Sequence, residues 1–578
     1  MKSLHHADVL DLTELFELHV LVNRGAGQID WQAEKEHRTN VDAVNVDPAK
    51  VYSEVCRMLN KSQRDGYRYR RMTWDRYVKA RWEWSPAGSV HSQHEADKPF
   101  IAKSYRHKTK FVTLCAMSKH ELDAFMNRPA EIVAWPSTKY EWAKQRAIYG
   151  TDLTSTVITN FAMYMCEEAL QGQFPVGSEA NADRVHKKLK LMLGDAESLC
   201  YDYDDFNSQH STESMYAVLQ AYNDCFKNSM SDDQLRAMQW VMASVWNVRV
   251  KENSSDKFYK MHGTLLSGWR LTTFMNTVLN YVYMKIAGVF NTKGVVESVH
   301  NGDDVLIAVD TVGAVTNTFA KMAAINARAQ AKKCNAFSVG EFLRIEHKTS
   351  KAEVDGMQYL SRACATACHG RSESQQPTDA LELIGAHETR ISELGSRMSV
   401  RQPAVIARLK ALLYRRVEKE FGLKSGIADI YVNSHKVVGG YRNDIRGKIN
   451  MLLERSTEAC EVEVESTERT DVHTVSSVNS TQLTLGIRDY AELLLRQFKL
   501  AIKYDAVYAA VVRGTRAVLA VQKTQSVKAI DVSGTGKYRY ARALSGMLRG
   551  SIPLGGAAKA RFLGVPPVAL VSEKHRMR

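Results

Sequence analysis

The sequence predicts an α+β fold: a short antiparallel sheet with long helices against it, and a C-terminal third that is mostly helical. Three observations carry this. First, Asn301-Gly302-Asp303 separates Val295 to His300 from Asp304 to Val309. Asn-Gly between β-branched runs is the strongest short-range hairpin signal. Second, Thr272 to Val289 is apolar at helical spacing, with no Pro and no Gly before Gly288, so a buried helix is expected there. Third, Pro403 to Phe421 has Pro at a first helical position and Gly422 just past its end. Its apolar face is expected to comprise Val405, Leu409, Leu412, Leu413 and Val417, with Arg and Lys opposite.

The chain has 578 residues, 44% hydrophobic and 25% charged, as in soluble globular proteins, with room for about three or four units. Three regions are expected: 1–195, 196–365 and 366–578. No repeat of solenoid period is present. No apolar run is long enough for a transmembrane helix, and acids interrupt the N-terminal apolar stretch, unlike a signal peptide. The run from Arg64 to Trp84 interleaves Arg with Tyr and Trp, which suits either a nucleic-acid-tracking surface or a solvated helix face. The Ser-, Thr- and Glu-rich stretch 460–482 reads as a loop or exposed hairpin, followed by a second helical region and a flexible basic tail. The formal net charge of +14 points to a phosphate-rich polymer as partner. Nine scattered cysteines suit free thiols in a reducing compartment. Cys364, Cys368 and His369 lack a second ligand pair at matching spacing, so thiols are expected there rather than zinc.

The hairpin turn also carries acids. Asp303 and Asp304 at a sheet edge could project carboxylates into a polar cleft, as divalent cations require. Alone the tripeptide is ordinary, because hairpin turns use Asp and Gly routinely. A second cluster, Tyr201-Asp202-Tyr203-Asp204-Asp205-Phe206-Asn207, places three acids so close that they repel unless cations offset them. Its aromatics suggest a partly buried strand, with Asp202 pointing the same way as the turn. Between the two lies Ser267-Gly268, feeding the long helix, where Gly permits close backbone approach to a ligand. Thr272 and Asn276 are four apart and share one helix face. They suit reading a hydroxyl, but taken alone a cap and a satisfied core polar group is the favoured reading. Upstream, Lys144 and Arg146 alternate, so in a strand they would face one side.

In this order, these segments resemble the motifs of viral RNA-dependent RNA polymerases. Asp202 and Asn207 match the first palm motif. Ser267, Gly268, Thr272 and Asn276 match the second, and Gly302, Asp303 and Asp304 the third. Lys139, Glu141, Lys144 and Arg146 match the basic finger motif. The strings DYDDFNSQH and SGWRLTTFMNTVLN are similar to those of totiviruses, which are double-stranded RNA viruses. Farther out, Lys332 and Lys333 resemble the general-acid motif, Gly340 to Arg344 the strand pair gripping the primer end, and Pro86 to Ser89 a template-side loop.

The resemblance implies a right hand: fingers with the N-terminal region in 1–195, a palm with finger insertions in 196–365, and a mainly helical thumb with the C-terminal region in 366–578. It implies template-directed joining of ribonucleoside triphosphates, replicating and transcribing a viral genome. Asp202, Asp303 and Asp304 would hold two Mg²⁺ or Mn²⁺ ions. Lys144 and Arg146, with Lys139 and Glu141, would handle the incoming nucleotide. Asn207, Ser267, Gly268, Thr272 and Asn276 would sense its ribose, and Lys332 or Lys333 would protonate pyrophosphate. Implied partners are RNA template and product, nucleotides and a viral capsid protein, with no membrane. The implied location is the virion interior in the host cytoplasm. A reverse transcriptase would place a bulky residue near the sugar, where Asn207 stands here. An inactive RNA-binding relative would have no use for clustered acids.

Overall fold

The computed structural model describes residues 17–21 and 27–433, except 104–107, 142–143, 254, 338, 349–358, 369–379 and 399–401, and also Tyr441, 448–450 and 529–531. The stretch 460–482, the helical region after it, the tail and His369 lie outside the described residues. The strands considered below are β1 (Ile132–Glu141), β2 (Lys144–Thr151), β3 (Glu197–Tyr201), β4 (Val248–Lys251), β5 (Phe258–Lys260), β6 (Val295–Asn301), β7 (Asp304–Val309), β8 (Asn335–Phe337), β9 (Glu341–Phe342) and β10 (Ile345–Glu346).

One sheet has the order β6-β7-β3-β8, antiparallel throughout. Asn301 pairs Asp304, so Gly302 and Asp303 form a two-residue hairpin loop. Gly302 has φ +63°, and Asp303 does not share a positive φ, as a turn with Gly at its first central position requires. Alternation along the strands sends Leu199, Tyr201, Val305, Ile307 and Val309 into the main core. It sends Cys200, Val299, Leu306 and Ala308 into a second core against helix Ala182–Leu193. With both faces covered, β7 reads as an unbroken apolar run rather than an alternating one.

The expected helix spans Thr272–Ile286 and ends where Gly288 takes φ +75°. It packs on the main-core side and carries three buried polar residues, Asn276, Thr277 and Asn280. The second sheet has the order β2-β1-β4-β5, with β1 parallel to β4 and its other pairs antiparallel. In the Arg64 to Trp84 run Arg68, Arg70, Arg71, Arg76 and Lys79 are exposed, as on a solvated face, whereas the described aromatics turn inward and form no stacking platform. Tyr69, Trp74 and Tyr77 are core residues, Trp84 stacks on Tyr77 at 4.2 Å, and the buried Arg81 donates to Leu114 O and Val78 O.

After residue 359 the described residues are mainly helical: Leu360–Cys368, Ala380–Ser396, Pro403–Glu420 and Ile427–Asn433. The buried face of Pro403–Glu420 differs from that expected. Val405 and Leu412 are exposed, and the helix instead packs through Ile406, Leu409, Leu413, Tyr414 and Val417. The rotation is fixed by Glu388 of the neighbouring helix, which accepts from Tyr414 Oη and, at 2.9 Å, from Lys410 Nζ.

Gly268 approaches backbone, but that of the protein itself. A Cβ there would lie 2.1 Å from Tyr149 O. The Ser267-Gly268 loop is stitched to β2: Tyr149 N donates to Ser267 Oγ at 3.1 Å, and Thr151 Oγ1 to Gly268 O at 3.1 Å. Gly268→Ala should therefore force the loop off β2 and cost about 1–3 kcal/mol, read as a lower urea midpoint. An unchanged midpoint would mean the loop separates from β2 freely.

Candidate active site

At the open end of the β6-β7-β3 sheet lies a cavity of about 850 Å³. The antiparallel register explains why acids meet there. Tyr201 pairs Val305, so one step further Asp202 stands opposite Asp304, and the Gly302-Asp303 turn follows at once. Asp202, Asp303 and Asp304 all line the cavity. Burial pushes the Asp304 carboxyl up to about 7, and Asp303, Asp202 and Glu341 push the same way. Asp202 is also raised, by burial and by Asp303, against the pull of Lys333, whose Nζ lies 3.2 Å from Asp202 Oδ1. The other two acids of the cluster turn elsewhere. Asp204 accepts from Gln330 Nε2 at 3.0 Å, and Asp205 faces Arg38 at 3.5 Å.

Across the cavity are Lys139, Glu141, Lys144 and Arg146, joined by Lys332 and Lys333. Lys139 pairs Arg146 and Glu141 pairs Lys144 in the β1-β2 ladder, so all four side chains meet. Glu141 lies 3.0 Å from Lys139 and 3.3 Å from Arg146. Burial alone would raise its carboxyl, but Arg146, Lys139 and Lys144 hold it below the usual range. Lys144 is depressed by burial and by Arg146 and Lys333.

Five expected residues, Asn207, Ser267, Gly268, Thr272 and Asn276, are not among those lining this cavity. Ser267 and Gly268 hold β2, as described above. Thr272 Oγ1 donates to Leu266 O and Trp269 O, both at 2.8 Å, closing the helix start. Asn276 is buried, and its Nδ2 donates to Asn207 Oδ1 at 2.8 Å. The two asparagines, distant in sequence, are thus one unit.

Several cavity and support residues escaped the sequence reading. Thr277 Oγ1 accepts from Gly302 N at 2.7 Å. Asn280 Nδ2 donates to Gly302 O at 3.1 Å and Asp303 O at 3.3 Å. The signal was present: Asn276 and Asn280 are four apart in an apolar helix, so they share a face. Glu17 and Arg362 also line the cavity, paired at 2.6 Å, and no local pattern marks them. Gly340 to Arg344 does form part of a strand pair, β9-β10, with Glu341 and Arg344 on the cavity wall. Cys364 is half-buried and Cys368 exposed on one helix, both as free thiols. Among the described residues, no three His, Cys, Asp or Glu side chains close into a metal-ligand cluster. The donor chemistry nonetheless suits a hard divalent cation: Asp202, Asp303 and Asp304 offer only oxygen, and burial, with their mutual repulsion, raises two of the three.

A family model described as viral RNA-directed RNA polymerase matches residues 1–372, and the chain belongs to that family. It is 44% identical over 98% of its length to the probable RNA-directed RNA polymerase of Saccharomyces cerevisiae virus L-A, covering 37% of that protein. It is 34% identical over 90% of its length to the corresponding protein of Saccharomyces cerevisiae virus L-BC, covering 33% of it. The chain thus spans about a third of the length of these curated relatives. The totivirus resemblance read from the motifs is borne out. A human picobirnavirus RNA-dependent RNA polymerase structure aligns at TM-score 0.42 and 11% identity, covering 69% of this chain and 82% of that one.

A carboxyl raised in the fold stabilises it while protonated. For Asp304 that contribution is complete below the ordinary value of 3.8 and is lost as pH rises through about 7. In metal-free protein, Asp304→Asn should therefore lose less thermal stability than wild type between about pH 5 and about pH 8. Parallel melting curves across that range would contradict the assignment.

Proposed function

We propose that this chain is an RNA-dependent RNA polymerase that replicates and transcribes a viral double-stranded RNA genome. It joins ribonucleoside triphosphates on an RNA template and releases pyrophosphate. One observation carries this: a single cavity in which three carboxylates at a sheet end face a cationic strand. Family membership supports the same reading.

Asp202, Asp303 and Asp304 would hold two Mg²⁺ or Mn²⁺ ions. When bound, these supply activation of the attacking 3′-hydroxyl and neutralisation of triphosphate charge. Arg146 and Lys144 bind the triphosphate, with Lys139 and Glu141 fixing their spacing. Lys332 or Lys333 gives its proton to the leaving pyrophosphate. Asn207 and Asn276 sense the ribose, on a frame set by Ser267, Gly268 and Thr272. A site built to bond a hydroxyl rejects the analogue lacking it, because its own polar groups are left unpaired.

We read the hand as fingers with the N-terminal region in 1–195, palm in 196–365 and thumb with the C-terminal region in 366–578. The pairing of β4 with β1 supports treating 248–260 as a finger insertion in the palm. Among the described residues no helix is long and apolar enough to cross a membrane. The working location is a capsid interior in the host cytoplasm, with the capsid protein as a partner.

The direct test incubates the full chain with RNA template, labelled nucleotides and Mg²⁺ or Mn²⁺, comparing ribo- with deoxyribonucleotides. Preferential deoxynucleotide incorporation would favour a reverse transcriptase instead. Asp303→Asn should cut synthesis by more than the ~10²–10³-fold typical of losing one electrostatic stabiliser, while RNA binding stays near wild type. Wild-type turnover would remove Asp303 from the metal site. Arg146→Ala should raise KM for all four nucleotides about equally, since a phosphate contact reads no base. An effect on one nucleotide alone would assign Arg146 to base recognition.

A further inference from the structure

We infer that His210 is a positioning residue that decides which atom of Asn207 faces the sugar, through a directed hydrogen-bond relay from Tyr283. This rests on the reading of Asn207 as part of the ribose sensor and goes a step deeper. The relay is short and mostly buried. Tyr283 Oη lies 3.2 Å from His210 Nδ1, and His210 Nε2 lies 2.9 Å from Asn276 Oδ1. Asn276 Nδ2 then donates to Asn207 Oδ1 at 2.8 Å. Tyr283 and His210 are fully buried and Asn276 nearly so, whereas Asn207 is only half-buried.

The chemistry fixes the direction. Asn276 Oδ1 can only accept, so His210 Nε2 must carry the proton. Burial pushes His210 down to about 4, so near neutral pH the ring has one N–H. Its Nδ1 is then a lone pair, which Tyr283 Oη–H satisfies. With its oxygen turned to His210, Asn276 presents its amide nitrogen to Asn207, and Asn207 must answer with its oxygen. That leaves the Asn207 Nδ2 group, which has no hydrogen bond among the described residues, to donate outward. A 2′-hydroxyl oxygen can accept it; a 2′-deoxy sugar offers nothing. Were the His210 tautomer reversed, both amides would turn over and Asn207 would present an acceptor. The ring is held against other motions by the edge contact with Phe206, at 4.4 Å and 81°.

The test measures kcat/KM for a ribonucleotide and its 2′-deoxy analogue on a primed RNA template, using the full chain. Variants are Asn207→Ala, His210→Ala, His210→Gln and Tyr283→Phe. The ribo-to-deoxy ratio should fall about five- to 150-fold in Asn207→Ala and His210→Ala, the range for one buried group left unpaired. His210→Gln, whose amide nitrogen can replace the Nε2–H donor, should recover most of the ratio. Tyr283→Phe should lower it by releasing the tautomer. Should His210→Ala fail to fold, the Gln and Phe variants still decide. A ratio that falls in Asn207→Ala but holds in His210→Ala and Tyr283→Phe overturns the relay alone. A ratio unmoved in Asn207→Ala overturns the ribose reading beneath it. Equal loss of activity toward both sugars in His210→Ala would make His210 a structural residue only.

Discussion

The geometry of the site depends on one buried amide. Asn280 sits fully buried in an apolar helix and binds the carbonyls of Gly302 and Asp303 with its nitrogen. Its oxygen faces Tyr203 Oη at 3.2 Å and His300 Nδ1 at 3.1 Å. One side chain therefore joins the acidic turn, the end of β3 and the adjoining strand β6. An apolar residue of the same size would leave the buried Gly302 carbonyl without this donor, at about 1–3 kcal/mol. The network adds no charge, because burial pushes His300 down to about 3. Fully satisfied polar networks of this kind rigidify what they touch. Here that is the segment that must hold Asp303 still.

With the turn fixed, the electrostatics follow from the two sheets. The sheet carrying β3 and β7 ends in carboxylates, and the β1-β2 hairpin brings cations over them. Neither set is neutral by itself. Lys333 offsets Asp202 directly, and Glu141 tempers three cations at once. The cavity is thus a pair of opposed, partly compensated charge sets rather than one basic groove. Such a site can take a polyanion and a divalent cation together, since each satisfies the charge that the other leaves.

Much of this was legible in the sequence because the signals were local. Asn301-Gly302 between β-branched runs gave the hairpin and, with it, the position of both turn acids. The alternation of Lys144 and Arg146 gave a shared face without reference to any other segment. What escaped was non-local. Gly268 announces a close approach, but its partner is Tyr149, 119 positions earlier, which no spacing rule identifies. The aromatics from Tyr69 to Tyr77 left a nucleic-acid surface and a solvated helix face equally open, because composition does not report which side of a core they enter. In Pro403–Glu420 an apolar stripe and a polar anchor competed. The hydrogen bonds of Tyr414 and Lys410 to Glu388 rotated Val405 and Leu412 into solvent. Asn280 was readable at its spacing from Asn276, but spacing alone does not say which backbone a buried amide braces.

The strand pair β9-β10 shows how the fold places a last charge. Its two-residue turn is Leu343-Arg344, at φ +53° and +63°, where glycine or asparagine would be favoured. Each such residue costs about 1–3 kcal/mol and persists only where its surroundings over-determine it. Here Glu346 Oε1 accepts from Gly340 N and Lys348 N at 3.0 and 2.8 Å, and His347 N donates to Gly340 O at 2.9 Å. Those bonds clamp the turn from behind. Relaxing it with glycine at the second position would remove Arg344, which draws the Asp304 carboxyl downward against burial and three acids. What the strained turn carries is therefore a solvent-exposed cation on the cavity wall, whose charge acts on the Asp304 carboxyl.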